Sequence, residues 1–157
     1  MQKLSLHILL LIFLVTNASA QKVEILLELL NTEDRVAMDG YDPVSYFIGT
    51  PKEGDEDIST TQQGIIYYFS SKANRDLFIR SPEKYTPVYG GWCAYAMGNT
   101  GETVVVDPET FKIIDGKLYL FYNRFFNNTL ESWNEDEQNL KRKADANWNK
   151  LINQKNE

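Results

Sequence analysis

The sequence is poor in the two residue types that most often carry catalysis and soft-metal binding. Its 157 residues include one cysteine, Cys93, and one histidine, His7. A single cysteine excludes an internal disulfide, so stability has to come from packing. His7 lies in a segment that we expect to be removed. Its loss excludes a Ser-His-Asp triad, a Cys-His pair and histidine-based zinc or haem sites. Glycine-rich phosphate-binding loops of the Walker and dinucleotide types are also missing from the sequence.

The first twenty residues have the features of an export signal. Lys3 provides a positive start, residues 4–15 form an apolar core, and Ala18-Ser19-Ala20 provides the small residues of a cleavage site. The core has roughly 12 residues, against the ~20 of a membrane-spanning helix. We therefore expect residues 1–20 to be a signal peptide, the mature protein to be periplasmic or secreted, and no stable membrane insertion after cleavage. An uncleaved amphipathic anchor is the alternative.

Acidic side chains outnumber basic ones. The chain has 22 Asp and Glu against 16 Lys and Arg, a net charge of −6, and removal of Lys3 makes the balance more negative. An acidic chain without a basic cluster indicates that neither nucleic acid nor an anionic membrane is a partner. Two carboxylate runs, residues 55–57 and 135–137, lack the spaced oxygen ligands of a calcium loop. We interpret both as solvated surface.

The apolar patterns predict a small single α+β domain with short β-hairpins, short helices opened by Asp-Pro pairs and a long C-terminal helix. Hairpins are predicted at residues 57–71 and 111–123, the second around Asp115-Gly116, a pair suited to a type I′ turn. Asp42-Pro43 and Asp107-Pro108 have the composition of helix starts. Residues 21–35 form a leader, either a short helix or an added strand, and the domain covers residues 36–152.

Three more helices are predicted besides those opened by the Asp-Pro pairs. Ser71 opens the first, whose apolar residues Ala73, Leu77 and Phe78 share a face, and Pro82 ends it. A short helix follows from Trp92. The last helix starts at about residue 129, and its apolar residues form one stripe: Trp133, Leu140, Ala144, Trp148 and Leu151.

Three segments together resemble the exported YHS-domain proteins. They are GYDPVSYF at residues 40–47, the run from YYFSSK to GGWCAYA at residues 67–96, and DGKLYLFYN at residues 115–123 with KADANW at residues 143–148. The YHS core would span about residues 38–87, and the rest is the extension of the exported branch. No established activity goes with that branch. The resemblance implies a monomeric binding or accessory module, with an unknown ligand or an envelope protein as partner.

Metal-binding branches of that family resemble DPVCG followed by YYFCSxxC. Carried over by position, their three cysteines would fall on Ser45, Ser70 and Asn74 of this chain. A hydroxyl or an amide cannot replace a thiolate for a soft ion, because neither ionises near neutral pH. The resemblance therefore implies the fold and not the metal site. Locally, Ser70 and Asn74 are interpreted as polar groups of a helix start, and Ser45 as part of a short helix.

Cys93 has three interpretations. As a small apolar side chain beside Trp92 and Tyr95, it is typical of a buried core residue. As a thiolate near a helix N-terminus, four residues before Met97, it could bind Cu(I), with Met38 as a third sulfur. As an exposed thiol, it would form a mixed disulfide with a partner. The core interpretation implies no cofactor, and copper is the alternative.

The motif at residues 40–47 also has two interpretations. Tyr41, Asp42 and Tyr46 could line a ligand pocket, or they could be turn chemistry and core aromatics. An enzyme that uses carboxylates, or Cys93 as nucleophile, is the alternative from another class. Such a cysteine would need a base from Asp, Glu, Lys or Tyr. The sequence favours a non-enzymatic binding module.

Overall fold

The structure is a computed structural model that describes residues 24–25 and 27–155 of the chain. The predicted signal peptide, residues 1–20, lies outside the described residues. The predicted α+β class is confirmed, since short strands and helices make up most of the described chain. Among the residues described, no helix is both long and apolar enough to cross a bilayer.

The first sheet contains four strands in the order β1-β2-β4-β3. The pair β2 and β4 is parallel, and the other neighbouring pairs are antiparallel. The predicted hairpin of β3 and β4 is confirmed, and a turn with positive φ at Gln63 and Gly64 joins the two strands. The bounds of the four strands are Thr32–Glu33 for β1, Val36–Ala37 for β2, Asp55–Gln62 for β3 and Ile65–Phe69 for β4.

A second hairpin, β5 (Asp107–Ile114) and β6 (Lys117–Phe121), forms the middle of the molecule. Asp115 and Gly116 have φ of 52° and 72°, so the predicted type I′ turn is confirmed. Successive side chains of a strand point to opposite faces. Leu118 and Leu120 accordingly join the core cluster under the first sheet, while the residues between and after them join a second cluster against the C-terminal helices.

The described chain also contains five α-helices, three 3-10 helices and a small hairpin. The hairpin consists of β7 (Asn123–Arg124) and β8 (Asn127–Asn128). Three short 3-10 helices span Met38–Gly40, Ser45–Ile48 and Val88–Gly91. The α-helices are α1 (Lys72–Arg80), α2 (Pro82–Tyr85), α3 (Ala94–Asn99), α4 (Thr129–Glu135) and α5 (Glu137–Lys155).

The C-terminal helix is split rather than continuous. Asp136 leaves the helical region, with φ −145° and ψ 44°, and separates α4 from α5. Its carbonyl accepts the first backbone hydrogen bond of α5, from Leu140 at 2.9 Å, and its carboxylate accepts a hydrogen bond from the side-chain amide of Asn139 at 2.7 Å. Asp136 therefore starts a new helix. The predicted apolar stripe is confirmed, since Trp133, Leu140 and Ala144 are buried and the two later residues pack against them.

Two local predictions are wrong. The pair Asp107-Pro108 begins strand β5, because Asp107 pairs with Phe121 of β6. In α1 the buried residues are Asn74 and Phe78, whereas Ala73 and Leu77 are exposed. The predicted capping by Ser71 is confirmed, since its hydroxyl accepts a hydrogen bond from the Asn74 amide at 3.2 Å.

The predicted leader is both a helix and a strand. Residues 24–25 and 27–29 are helical, and residues 32–33 form β1. Hydrogen bonds and an ion pair hold the leader against the domain. The Leu29 carbonyl accepts from the Trp92 indole at 2.9 Å, the Asn31 amide donates to the Gly90 carbonyl at 2.9 Å, and Glu28 pairs with Lys155 at 2.7 Å.

Candidate functional site

A cleft of about 440 Å³ lies where the leader, the first sheet, the 3-10 helix Val88–Gly91 and α5 meet. Volumes of this size are typical of small-ligand sites. Its apolar walls include Leu30, Ala37, Met38, Ile65, Pro82, Pro87 and Trp148. Its polar lining includes Asn31, Thr32, Gln62, Gln63, Glu83, Thr86, Lys117 and Asp145, and the tyrosines Tyr67 and Tyr89 contribute both characters.

Three of the nine described non-glycine residues with positive φ line this cleft, and two of the three are buried. Met38 and Tyr89 are buried side chains with φ of 59° and 53°, a conformation that residues other than glycine rarely adopt. Gly90 and Gly91 continue the left-handed run after Tyr89. Such conformations cost on the order of 1–3 kcal/mol each for bulky residues and cluster at functional sites. The strain therefore supports the cleft as the candidate site.

Tyr67 presents an unpartnered hydroxyl to the cleft. The residue is 6% exposed, and its ring packs on Phe78 with centroids 4.6 Å apart. Its hydroxyl makes no hydrogen bond with any other described residue, and no fully buried polar side-chain atom in the described structure lacks a partner. The hydroxyl therefore opens onto the cleft that Tyr67 lines. Burial raises the pKa of Tyr67 to about 12, so it is a hydrogen-bond donor at neutral pH.

Tyr89, Asp145 and Trp148 form a corner of the cleft. The Tyr89 hydroxyl donates to Asp145 Oδ1 at 2.8 Å, and the Tyr89 and Trp148 rings meet nearly at right angles, 67°, with centroids 6.4 Å apart. Burial and the bond to Asp145 raise the pKa of Tyr89 far above its ordinary value. The neutral phenol therefore keeps the Asp145 carboxylate in place across the physiological pH range.

Tyr41, Asp42 and Tyr46 lie elsewhere, and none of the three lines this cleft. The Tyr46 hydroxyl donates to the Pro108 carbonyl at 2.9 Å, and its buried ring packs edge-on against Phe111. Tyr41 is half-buried and donates to Glu109 at 3.2 Å. Asp42 is completely buried. The three side chains thus serve packing and turn formation in this structure, the other interpretation of the motif.

Asp42 is the centre of a buried polar network. Its Oδ1 accepts from the Val44 amide at 2.9 Å. Its Oδ2 accepts from the Ser70 amide at 2.9 Å, the Ser70 hydroxyl at 2.6 Å and the Asn74 side-chain amide at 2.6 Å. The Ser45 hydroxyl donates to the Asp42 carbonyl at 2.6 Å. The three positions where the YHS resemblance places cysteines, Ser45, Ser70 and Asn74, therefore all contact Asp42.

This network does not fit a soft metal ion. Ser70 and Asn74 turn their donor hydrogens toward Asp42, so their polar atoms already have partners. No thiolate is present among the four residues, and hydroxyl and amide groups are poor ligands for soft ions. In the described part of the chain, no three His, Cys, Asp or Glu residues are grouped as a metal site.

Cys93 is completely buried and has polar neighbours of its own. The Tyr122 amide donates to its Sγ at 3.3 Å, and the Thr129 hydroxyl lies 3.4 Å from the same atom. The predicted burial of Cys93 is confirmed. Met97 is also buried, but it packs in the cluster against α5, whereas Cys93 and Met38 belong to the cluster under the first sheet. The structure therefore assigns Cys93 and Met97 to different core clusters.

The two acidic runs lie at the surface as expected. Residues 55–57 are exposed on the edge strand β3. In the second run Glu137 pairs with Lys112 and accepts from the Trp133 indole at 3.2 Å, while its neighbours are exposed. An ion pair and a capped helix account for these carboxylates.

The residues of the cleft were not among the sequence-based site candidates, apart from Met38. The alternating pattern of β4 predicts that Tyr67 is buried, but it does not predict that its hydroxyl lacks a partner. Asp145 and Trp148 are three apart on one helix, and neighbouring Tyr-Gly-Gly residues 89–91 indicate an irregular turn. These two signals together could have indicated the corner only if the approach of α5 to that turn were known.

The chain matches no protein-family model, no curated protein and no solved structure. Function is therefore argued from the site itself.

Proposed function

We propose that this chain is an exported, non-enzymatic binding module of the YHS-domain family that holds a small organic ligand in the cleft. The observation that carries the proposal is the unpartnered Tyr67 hydroxyl in a cleft of about 440 Å³ with mixed apolar and polar walls. A few fixed polar groups in a largely apolar concavity are typical of small-molecule sites.

The geometry of Cys93 supports binding over thiol catalysis. A nucleophile has to reach its substrate and have a base within hydrogen-bond distance. Cys93 is completely buried, and the groups that contact its Sγ are an amide and a threonine hydroxyl. Asp42, the most buried carboxylate, is likewise occupied by hydrogen bonds. The cleft holds groups that bind and orient, and its tyrosines keep their protons at neutral pH.

The contacts around Asp42 support the proposed family. Three cysteines that bind one metal ion in related modules must occupy positions that are close in space. Ser70 and Asn74 share Oδ2 of Asp42, and Ser45 bonds to the main chain of the same residue. The family proposal predicts this convergence, and nothing in the local sequence requires it. Under this proposal, hydrogen bonds to Asp42 occupy the place where the metal-binding branches hold their ion.

The experiment is a titration followed by backbone amide NMR shifts. The probes are four small compounds of different charge: glucose, leucine, acetate and choline. We expect at least one to shift amides of residues 86–91 and the indole resonance of Trp148, which line the cleft. Mass spectrometry of the same samples is expected to recover the probe unchanged.

A filled cleft provides the matched control. Thr86 is half-buried in the lining, and Thr86→Trp should block binding, whereas Thr103→Trp, at an exposed position outside the lining, should retain it. Shifts that persist in Thr86→Trp, or shifts confined to residues outside the cleft, would contradict the proposed site. An N-terminus at Gln21 in protein from an exporting host would test the signal peptide separately.

A further inference from the structure

The charged groups of the cleft favour one sign of ligand charge. Glu83 and Asp145 contribute carboxylates to the lining, against a single ammonium from Lys117, and the lining contains no arginine. All three charged side chains are exposed, so they meet a ligand at the entrance rather than in the apolar interior. Two carboxylates against one ammonium give the lining a net negative charge, which repels an anion. The lining therefore favours a cation or a neutral compound.

The Tyr89–Trp148 corner favours a cation over a neutral compound. A cation is attracted to the negative face of an aromatic ring when it lies within about 6 Å of the centroid. The Tyr89 ring is only 4% exposed and packs edge-on with the half-buried Trp148 ring, at 67° with centroids 6.4 Å apart, so Trp148 is the ring whose face a ligand in the cleft can contact. Gly90 makes the approach of the two rings possible, because a Cβ at that position would lie 2.8 Å from the Trp148 ring.

Asp145 completes the corner with a negative charge. Its Oδ1 accepts from Tyr89, which fixes the carboxylate beside the ring, and its Oδ2 makes no hydrogen bond with the other described residues. An aromatic face next to a carboxylate with a free oxygen is the combination that recognises an alkylammonium group. A neutral sugar would use the ring face without needing the charge.

We infer that the cleft binds a small alkylammonium compound. Its cationic group sits on the Trp148 ring beside the Asp145 carboxylate, and a polar group elsewhere on the ligand bonds to the Tyr67 hydroxyl. The inference rests on the proposed function and specifies the chemistry of its ligand. The Tyr67 hydroxyl is the independent observation, since Tyr67 is more than nine-tenths buried, lines the same cleft and has a hydroxyl that is unpartnered among the described residues.

The test compares choline with 3,3-dimethylbutan-1-ol, which has the same shape and hydroxyl but carbon in place of the charged nitrogen. Both are titrated into the full mature chain and followed by amide NMR shifts. We expect choline to bind about tenfold more tightly than the neutral compound. In Asp145→Asn the amide oxygen can still accept from Tyr89, so choline should lose about fivefold in affinity while the neutral compound is unaffected.

Glu131→Gln, an exposed charge change outside the lining, is the matched control and should leave choline binding unchanged. Equal binding of the two compounds, or an equal loss for both in Asp145→Asn, would overturn the inference and leave the binding function intact. If choline fails to bind while glucose or leucine occupies the cleft, the inference is likewise overturned and the binding function is left intact. If no probe binds and filling the cleft with Thr86→Trp changes nothing, the proposed function fails as well.

Discussion

Replacement of Asp42 by alanine tests whether the buried network, rather than the apolar core alone, determines how the first sheet and α1 pack. The change removes a completely buried carboxylate that accepts four hydrogen bonds. Ser70 is exposed, so its amide and hydroxyl can bond to water instead. Val44 is 1% exposed and Asn74 is 8% exposed. The backbone amide of Val44 and the side-chain amide of Asn74 therefore lose the Asp42 carboxylate as acceptor without gaining water in its place.

The magnitude follows from these two orphaned donors and from the loss of charge-assisted bonds. A buried donor left without a partner costs about 1–3 kcal/mol, and hydrogen bonds to a charged group contribute about 1.5–3 kcal/mol. Asn74 keeps a weaker contact with the Ser70 hydroxyl at 3.3 Å, which limits the loss. We expect Asp42→Ala to lower the free energy of unfolding by about 3–5 kcal/mol, a large share of the 5–15 kcal/mol of a typical domain.

Urea unfolding followed by circular dichroism measures this loss. The slope of unfolding free energy against urea concentration should stay constant, so that the midpoint reports stability alone. Asp57→Ala, at an exposed position of β3, is the control and should change stability by no more than about 0.5 kcal/mol. A loss below about 1 kcal/mol in Asp42→Ala would refute the reasoning, because it would show that the donors find other partners at little cost.

Three further predictions concern the turn, the thiol and the tyrosines. Gly116 has φ of 72° and open space around an added Cβ, so Gly116→Val should cost about 1–3 kcal/mol through strain alone, and Gly116→Asn less, as measured by thermal melting. Thiol reagents should modify Cys93 only after denaturation, and Cys93→Ala should cost about 1–2 kcal/mol; rapid labelling of the folded protein would contradict its burial. Burial raises the pKa of both Tyr67 and Tyr119 to about 12, from 10.0. Their contribution to stability is complete below pH 10 and is lost as pH rises toward 12, because the unfolded chain releases these protons first. Urea midpoints between pH 9 and 12 should fall, and the fall should be smaller in Tyr67→Phe.

The elements that depend on local chemistry could be predicted from the sequence. Strand β4 alternates buried and half-buried residues, and the Asp115-Gly116 turn has residues that accept positive φ. The apolar stripe from Trp133 to Leu151 follows helical spacing, so its burial could also be predicted. In each case the information lies within a window of a few residues, and the tertiary structure adds packing without changing the element.

The wrong predictions arise where a residue that is distant in the sequence determines the local structure. The apolar residues of α1 suggested a buried face through Leu77, but Asn74 is turned inward because Asp42, 32 residues earlier, holds its side chain at 2.6 Å. A polar residue is buried there at the expense of a leucine that is 37% exposed. Propensity and periodicity contain no information on such a partner. The same limit applies to Asp107-Pro108, where a helix-start pair is drawn into a strand by pairing with Phe121.

The cleft depends most strongly on distant residues, because it forms where two remote segments, the leader and α5, pack against one glycine, Gly90. A Cβ at Gly90 would lie 2.7 Å from the Leu29 carbonyl of the leader and 2.8 Å from the Trp148 ring of α5. The sequence identifies Gly90-Gly91 as a turn, but it does not indicate what passes over that turn. Once the leader and α5 do so, the left-handed backbone of Tyr89 places its hydroxyl on Asp145 and its ring against Trp148. The proposed ligand site therefore depends on how the leader and α5 pack over Gly90, a residue without a side chain. A search for motifs of reactive residues could not find such a contact.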